Sequence, residues 1–315
     1  MDSRKQIPAV SCSLNRVIIS QGKPRLRNQS LFLRTGIMND MNNSQLANLL
    51  GTSSFTVTPT DLGVSNRNSL VTAGNEEYFW RRPVPGKASL KTDRKAEAAA
   101  MKLAAAAGLD VPTLYFDGQT GEKLTRRVDA LPFDASQASN RYRRTGQLLS
   151  RLHTLEPIPA LFDPFEKLEQ YRSQTRTPIH FPHEQAILET ARGLWQPACL
   201  CHNDLVPGNI LLGPDRDWLI DYEYAATGDP RFDLASFLSE NDITEPACRR
   251  QFLEGYGKPV PEWQVMIFEL VADMIWANWA QMLLEDRQDP VFAAILRDKQ
   301  AHFEKILDKL VDRKK

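Results

Sequence analysis

Cysteine is scarce in this chain, with only four residues among 315. A disulfide framework needs more cysteines in a shorter chain. Cys199 and Cys201 are the closest pair, but no second nearby pair completes the spacing of a structural zinc site. We therefore expect buried free thiols, as in a protein of the reducing cytoplasm.

An excess of charge of either sign is also absent. Lysine plus arginine and aspartate plus glutamate each number 39, so the formal net charge is zero. A protein that binds nucleic acid or an anionic membrane surface as its main partner usually carries a basic excess. We therefore expect neither nucleic acid nor a membrane as a partner.

Long uninterrupted apolar runs are missing as well, including the run that a signal peptide would place near the N-terminus. The longest apolar run, residues 265–284, contains Glu269 and Asp273. Each charge would cost about 2.5–3.5 kcal/mol at the centre of a bilayer. The run therefore predicts a helix buried in a water-soluble protein, with a polar stripe that faces a site.

A predicted β-hairpin at residues 210–220 has three oxygen-bearing side chains at its open end. Asp204 and Asn209 precede its first strand, and Asp221 ends its second strand. An amide and a carboxylate can bind a hard cation such as Mg²⁺, while a further carboxylate can accept the proton of an attacking hydroxyl. An ordinary hairpin with polar ends is the alternative, but three such residues at this spacing favour phosphoryl transfer.

The spacing resembles the catalytic and metal-binding segments of the protein-kinase-like superfamily. The run His202-Asn203-Asp204, with Val-Pro-Gly before Asn209, resembles its small-molecule branch, which includes choline/ethanolamine kinases and aminoglycoside phosphotransferases. The run Asp-Tyr-Glu-Tyr-Ala from Asp221 resembles bacterial choline kinases more closely. This resemblance implies Asp204 as the catalytic base, Asn209 and Asp221 as ligands of Mg²⁺, and ATP as the co-substrate of a monomer or homodimer.

The same resemblance implies a nucleotide site in the first part of the chain. Ser65, Asn66 and Asn68 resemble the phosphate-contacting loop of choline kinases, although a plain hairpin loop explains them equally well. Arg81 resembles the cation that binds the nucleotide phosphates, and Arg82 is the alternative if the register differs by one. Successive side chains of a strand point to opposite faces, so only one of the two arginines can face the nucleotide.

Three further residues are implied as supports of the site. Glu97, on an Ala-rich helix predicted at 91–107, would pair with Arg81 and hold it over the phosphates. His202 belongs to the catalytic loop. Asp233, in the first turn of a helix predicted to begin at 230 or 231, would bond backbone amides of that loop.

The resemblance also implies a pocket for a cationic acceptor. Its residues are Tyr222, Glu223, Glu240, Trp276 and Trp279. The two tryptophans stand three apart on a helix predicted at 261–287 and resemble the pair that walls a choline site. Aromatic faces hold a quaternary ammonium at ~0.5–2 kcal/mol per ring, although aromatic residues at this spacing more often form core. A family tyrosine five residues after the pocket glutamate is replaced here by Glu245.

We predict an α+β, bilobal protein-kinase-like fold. A small N-terminal lobe with an antiparallel β-sheet and one main helix occupies residues 41–128, and a larger, mostly helical C-terminal lobe occupies 129–315. Residues 1–40 are polar, basic and without period, which predicts a poorly ordered or accessory extension. We expect the native chain to start at Met38 or Met41.

The predicted activity is ATP-dependent phosphorylation of the hydroxyl group of a cationic amino alcohol, with choline as the first candidate. Ethanolamine, thiamine and aminoglycosides remain alternative acceptors. A nucleotide-binding regulatory pseudokinase is the alternative of another class, although such a protein is expected to lack at least one of Asp204, Asn209 and Asp221.

Overall fold

The structure is a computed structural model that describes residues 43–60, 66–84, 92–136 and 138–312. The predicted extension at 1–40, with Met38, and the loop residue Ser65 lie outside the described residues, as does Met41. All described residues belong to one unit, residues 40–315. The lobe boundary at residue 128 stays a prediction.

An antiparallel sheet forms the N-terminal part of the described chain. Its strands are β1 (Thr56–Thr60), β2 (Asn66–Ala73), β3 (Glu76–Pro83), β4 (Thr113–Phe116) and β5 (Lys123–Arg126), in the order β1-β2-β3-β5-β4. Alternate residues of β3, Tyr78 and Trp80, pack with Val71 and Leu124 because the strand period is two. Residues 66–68, expected in a loop, instead begin β2, because each pairs with a residue of β3 and this pairing overrides their turn preference.

Two helices accompany this sheet, α1 (Asn43–Leu50) and α2 (Arg94–Ala106). The N-cap of α2 is Asp93, whose carboxylate accepts hydrogen bonds from the backbone N–H groups of Lys95 (2.9 Å) and Ala96 (3.1 Å). The helix therefore begins three residues later than the sequence pattern predicts. It contacts the turn at residues 222–224, which directly follows Asp221.

The rest of the described chain is mostly helical. Its helices are α3 (Arg141–Leu152), α4 (Pro164–Ser173), α5 (Glu184–Leu194), α6 (Pro230–Glu240), α7 (Pro246–Tyr256), α8 (Glu262–Arg287) and α9 (Pro290–Asp312). Helix α8 is the predicted long helix, and it is buried on nearly all sides because α4, α5, α6 and α9 pack around it. Among the helices of the described residues, none combines the length and the apolar character that a membrane span requires.

Short strands frame the segment that contains Asp204, Asn209 and Asp221. They are β6 (Leu131–Pro132), β7 (Cys199–Cys201), β8 (Ile210–Leu212), β9 (Asp217–Leu219) and β10 (Ala226–Gly228). β8 and β9 form the predicted hairpin, with β6 on its outer side, and β7 pairs with β10. Cys199, Cys201 and Cys248 are buried free thiols, as expected. The predicted α+β fold, with an antiparallel sheet followed by a helical part, is confirmed.

The crossing of α3 and α7 depends on two glycines. A Cβ atom on Gly146 would lie 2.2 Å from the backbone oxygen of Phe252, and one on Gly255 would lie 2.2 Å from that of Arg143. Because the obstacles are backbone atoms, no side-chain rotation can relieve the overlap.

We therefore expect Gly146→Ala to lower the free energy of unfolding by about 1–3 kcal/mol, since overpacking exceeds the gain in helix propensity. Urea unfolding measures this change. Gly193→Ala in α5 is the matched control, because no atom lies within 4 Å of its added methyl group. Equal stability of Gly146→Ala and the wild type would refute the close helix crossing.

Candidate active site

Asp204 and Asn209 are joined by two hydrogen bonds in the loop between β7 and β8. Asn209 Nδ2 donates to the backbone oxygen of Asp204 (2.9 Å) and to its carboxylate oxygen Oδ2 (3.0 Å). These bonds turn the amide oxygen of Asn209 away from Asp204, and no described residue donates to it. The amide thus orients one predicted residue and offers an oxygen for a hard cation.

Asp221 lies at the same end of the hairpin. The backbone N–H of Ile220 donates to the backbone oxygen of Asn209 (3.0 Å), which holds the two chain segments together. Asp221 has a φ of 67° and Asn203 a φ of 64°, both in the left-handed region. Such conformations cost about 1–3 kcal/mol each and are concentrated at functional sites. The structure therefore brings Asp204, Asn209 and Asp221 together on a strained loop.

Asp233, in the first turn of α6, anchors this loop. Its carboxylate accepts hydrogen bonds from the backbone N–H groups of His202 and Asn203, each at 2.7 Å, as the resemblance implies. His202 itself lies against the second segment, with Nε2 2.9 Å from the backbone oxygen of Ile220. His153 was not predicted as a site residue, yet its Nε2 lies 3.0 Å from the Asp233 carboxylate. These hydrogen bonds fix the position of the loop relative to α6 and to the hairpin.

Arg81 connects the sheet to the hairpin. It contacts the carboxylates of Glu97 and Asp221, and it donates to the backbone oxygen of Gly121 at 2.9 Å. Glu97 is 0% exposed and is also bound by Arg94 at 2.6 Å. The implied Arg81–Glu97 pair is therefore present, and its cation lies beside Asp221.

Arg82 points elsewhere. It donates to Ser69 Oγ at 2.9 Å and lies over the ring of Trp80, 4.3 Å from the centroid. On the neighbouring strand Asn68 pairs with Arg81, whereas Asn66 pairs with Pro83 at the strand end. Of the two arginines, the geometry thus favours Arg81 as the residue that faces the site.

A second buried cation, Lys123, was missed by the sequence reading. It pairs across β3 and β5 with Arg81, is 4% exposed, and lies 3.7 Å from Asp110 Oδ2. Burial alone would raise the pKa of Asp221, but Arg81 and Lys123 hold it below its ordinary value. Lys123 could be recognised as a site residue only from its pairing with Arg81 in the sheet, which the sequence does not reveal.

Asp204 has the opposite electrostatic environment. Burial raises its pKa well above the ordinary value, and the negative charges of Asp221 and Glu240 raise it further. One carboxylate is thus suited to accept a proton, while Asp221 is suited to stay ionised as a ligand. Such a separation of neighbouring carboxylates is typical of acid–base and ligand roles at catalytic sites.

An aromatic group lies near Asp204, whose charge raises the pKa of Tyr171 and of Tyr224. Tyr224 and Trp276 pack edge to face with centroids 5.6 Å apart, and Tyr171 and Trp279 lie 6.4 Å and 6.1 Å from Trp276. The ammonium of Lys167 is 5.5 Å from the Tyr224 centroid and 5.6 Å from that of Tyr171. These rings therefore already attract one cation.

Tyr222 does not belong to this aromatic group, contrary to the sequence-based expectation. It is fully buried beneath the loop, where its ring packs against His202 with centroids 4.9 Å apart. Residues 222–224 form a tight 3-10 turn, which sends Tyr222 into the core and leaves Tyr224 toward the rings. Of the two tyrosines of this turn, Tyr224 is therefore the one that lies among the rings.

The two predicted pocket glutamates are both paired. Glu240 lies 3.0 Å from Lys299 Nζ, a residue of α9 that the sequence reading did not single out. Glu223 lies 3.5 Å from Arg94, and burial together with the charge of Asp221 raises its pKa to about 7. With Tyr224, Glu223 lines an open cleft of about 260 Å³.

Known proteins resemble this chain in sequence and in fold. Residues 56–268 match the APH family, described as the phosphotransferase enzyme family. Protein LicA of Haemophilus influenzae is 30% identical over 199 residues, which are 59% of this chain and only 58% of that relative.

Solved structures agree in fold. The choline kinase LicA from Streptococcus pneumoniae superposes with a TM-score of 0.71 at 24% identity, over 86% of this chain and 97% of that one. LicA in complex with AMP gives a TM-score of 0.67 at 24% identity, over 84% of this chain and 97% of that one. The chain therefore belongs to the phosphotransferase enzyme family, and its fold is that of the choline kinases.

Proposed function

We propose that this protein is an ATP-dependent kinase that phosphorylates the hydroxyl group of a small cationic amino alcohol, with choline as the first candidate. One observation carries the proposal, namely that Asp204 is close both to the proposed ligands of a hard cation and to an aromatic group. Asn209 donates a hydrogen bond to its carboxylate. The negative charge of Asp204 adds to burial in raising the pKa of Tyr171, a member of the aromatic group.

The donor set fits Mg²⁺. Asn209 offers an amide oxygen and Asp221 a carboxylate that stays ionised, which are ligands that Mg²⁺ prefers. When bound, the ion supplies neutralisation of the phosphate charge of ATP. Arg81 adds a second positive charge from the sheet. The LicA structure with AMP supports nucleotide binding by this fold.

Asp204 acts on the acceptor. The acceptor hydroxyl oxygen bonds to the γ-phosphorus as the bond from that phosphorus to the β,γ-bridging oxygen breaks, and ADP leaves. The hydroxyl proton passes to the Asp204 carboxylate. Placement and charge neutralisation thus provide most of the rate enhancement.

The aromatic group favours a quaternary ammonium as the acceptor's cation. Such a group cannot donate strong hydrogen bonds, so ring faces and a nearby carboxylate hold it. Tyr171, Tyr224, Trp276 and Trp279 offer rings, and Glu240 offers the charge. A polyamine such as an aminoglycoside prefers several carboxylates as hydrogen-bond acceptors.

A panel assay tests the proposal. ADP release is measured with Mg²⁺ and ATP over choline, ethanolamine, thiamine and kanamycin. We expect the highest kcat/KM with choline. Preference for kanamycin would overturn the assignment of the acceptor, and the absence of ADP release with every alcohol would overturn the kinase assignment.

The ring of Tyr224 gives a sharper prediction. Tyr224→Leu is expected to raise KM for choline about 2- to 30-fold, the equivalent of one cation–π contact, while KM for ATP stays unchanged. Tyr224→Phe is the matched control, because it keeps the ring. An unchanged KM for choline in Tyr224→Leu would show that this ring does not contact the acceptor.

A further inference from the structure

Helix α9 lies outside residues 56–268, which match the family, and the sequence pattern gave it no function. It nevertheless directs two titratable side chains into the interior. Lys299 is 5% exposed and His302 is 2% exposed. Lysine is almost never fully buried unless it is paired. The partners of Lys299 therefore indicate what this helix contributes.

The Lys299 ammonium is bound at the end of α6. It donates hydrogen bonds to Ser239 Oγ and to the Ser239 backbone oxygen, each at 3.0 Å, and it forms an ion pair with the Glu240 carboxylate at 3.0 Å. The two hydrogen bonds to Ser239 thus hold the ammonium beside Glu240.

A chain of polar contacts between ionisable side chains extends from this pair through the interior. Asp273 lies 4.0 Å from Lys299 Nζ and 2.7 Å from His302 Nδ1. His302 Nε2 lies 3.7 Å from Glu269, which is bound by Arg249 at 2.7 and 2.9 Å. The network connects α6, α7, α8 and α9, and the carboxylate at its end, Glu240, is close enough to Asp204 to raise the pKa of that residue.

We infer that Lys299 is a positioning residue of the acceptor site, which favours the charged form of Glu240 and holds this side chain in place for the cationic head group of the acceptor. This inference rests on the proposed function. Its physical basis is that burial disfavours an ionised carboxylate unless an opposite charge lies close. Lys299 is that charge at 3.0 Å, and the charge of Glu240 in turn acts on Asp204.

The groups that face Glu240 set the sign of the effect. Burial raises the pKa of Glu240, Lys299 lowers it, and Asp273 raises it. His302 from α9 lowers the pKa of Glu240 when it is protonated. The negative charges of Asp204 and Glu240 disfavour each other's ionisation. The pKa of Glu240 is raised overall, and without Lys299 we expect it to rise further, so that Glu240 ionises at higher pH.

The test compares choline with 3,3-dimethylbutan-1-ol, its uncharged isostere, in the wild type and in Lys299→Met and Lys299→Arg. Apparent affinity is measured as KM, or as an inhibition constant if the isostere is not phosphorylated, from about pH 6.5 to about pH 9. In Lys299→Met we expect the preference for choline over the isostere to fall on the order of tenfold at neutral pH and to recover as the pH rises. Lys299→Arg retains the preference, and KM for ATP stays constant throughout.

Two outcomes would overturn the inference. An equal loss of affinity for both acceptors in Lys299→Met means that Lys299 only maintains the fold. A stronger preference for choline means that Lys299 merely repels the cation. If the wild type phosphorylates neither alcohol, the proposed function is refuted. Thermal unfolding then tests the charge coupling between Lys299 and Glu240 by itself. A lower Tm of Lys299→Met that Glu240→Gln restores then supports the charge coupling, and no restoration refutes it.

Discussion

Asp204→Asn is expected to lower kcat about 10²- to 10⁴-fold, with little change in KM for ATP or choline. Asparagine cannot accept the hydroxyl proton, but its oxygen can still accept the hydrogen bond from Asn209 Nδ2. The geometry of the loop is therefore retained while the base is lost. ADP release under saturating ATP and acceptor measures the change.

The same variant is expected to unfold at a higher temperature when Mg²⁺ is withheld. Asp204 is partly buried near the like charges of Asp221 and Glu240, which raise its pKa. An acid whose pKa is raised by folding destabilises the folded protein at pH values above its unfolded pKa, roughly 3.9 for aspartate. Removal of that charge thus relieves the folded state and costs activity.

Asp215→Asn is the control for this substitution. Asp215 is exposed at the turn between the two strands of the same hairpin, away from Asp204, so the control is expected to change neither kcat nor Tm. Wild-type kcat in Asp204→Asn would refute Asp204 as the base. A lower Tm would refute the electrostatic account of the loop.

The hairpin of the candidate site could be predicted because the residues that define it are close together in the sequence. Asp204, Asn209 and Asp221 lie within one short segment, and the turn residues and strands between them determine their placement. Arg81 and Glu97 were also predictable, although only through the resemblance of their segments to choline kinases. The ion pair between them then agrees with that resemblance.

The missed residues depend on contacts between distant segments. Lys123 reaches the site because β5 pairs with β3, and Lys299 because α9 packs on α8 behind α6. The hydrophobic periodicity of the sequence does not show which buried lysine faces which carboxylate. The prediction that Tyr222 lines the acceptor pocket differs from the structure for another reason. A tight turn redirects its side chain, and the sequence does not reveal the type of turn.

Residues from other elements of the fold stabilise features of the hairpin that are unfavourable by themselves. Two strained residues, Asn203 and Asp221, and several buried carboxylates would destabilise an isolated hairpin. Asp233 supports the loop from α6, Arg81 supplies charge from the sheet, and Lys299 supplies charge from α9. The chemistry of the hairpin therefore depends on residues from both the N-terminal sheet and the C-terminal helix.

Arg81→Met is the second prediction with a large effect. We expect kcat/KM for ATP to fall about 10²- to 10³-fold, as for the loss of one preorganised charge at a transition state. The reason is that Arg81 is the cation that β3 presents beside Asp221. Arg82→Met is the matched control, because the neighbouring side chain stacks on Trp80 and is expected to change kcat/KM little.

Stability must be separated from catalysis in this variant. Arg81→Met leaves the buried carboxylate of Glu97 with Arg94 alone, and loss of one partner of a buried pair costs about 3–5 kcal/mol. Adding Glu97→Gln removes that buried charge, so the double variant is expected to regain Tm while kcat/KM for ATP stays low. Recovery of kcat/KM together with Tm would show that Arg81 serves the fold alone. A larger loss in Arg82→Met than in Arg81→Met would reassign the phosphate ligand to Arg82.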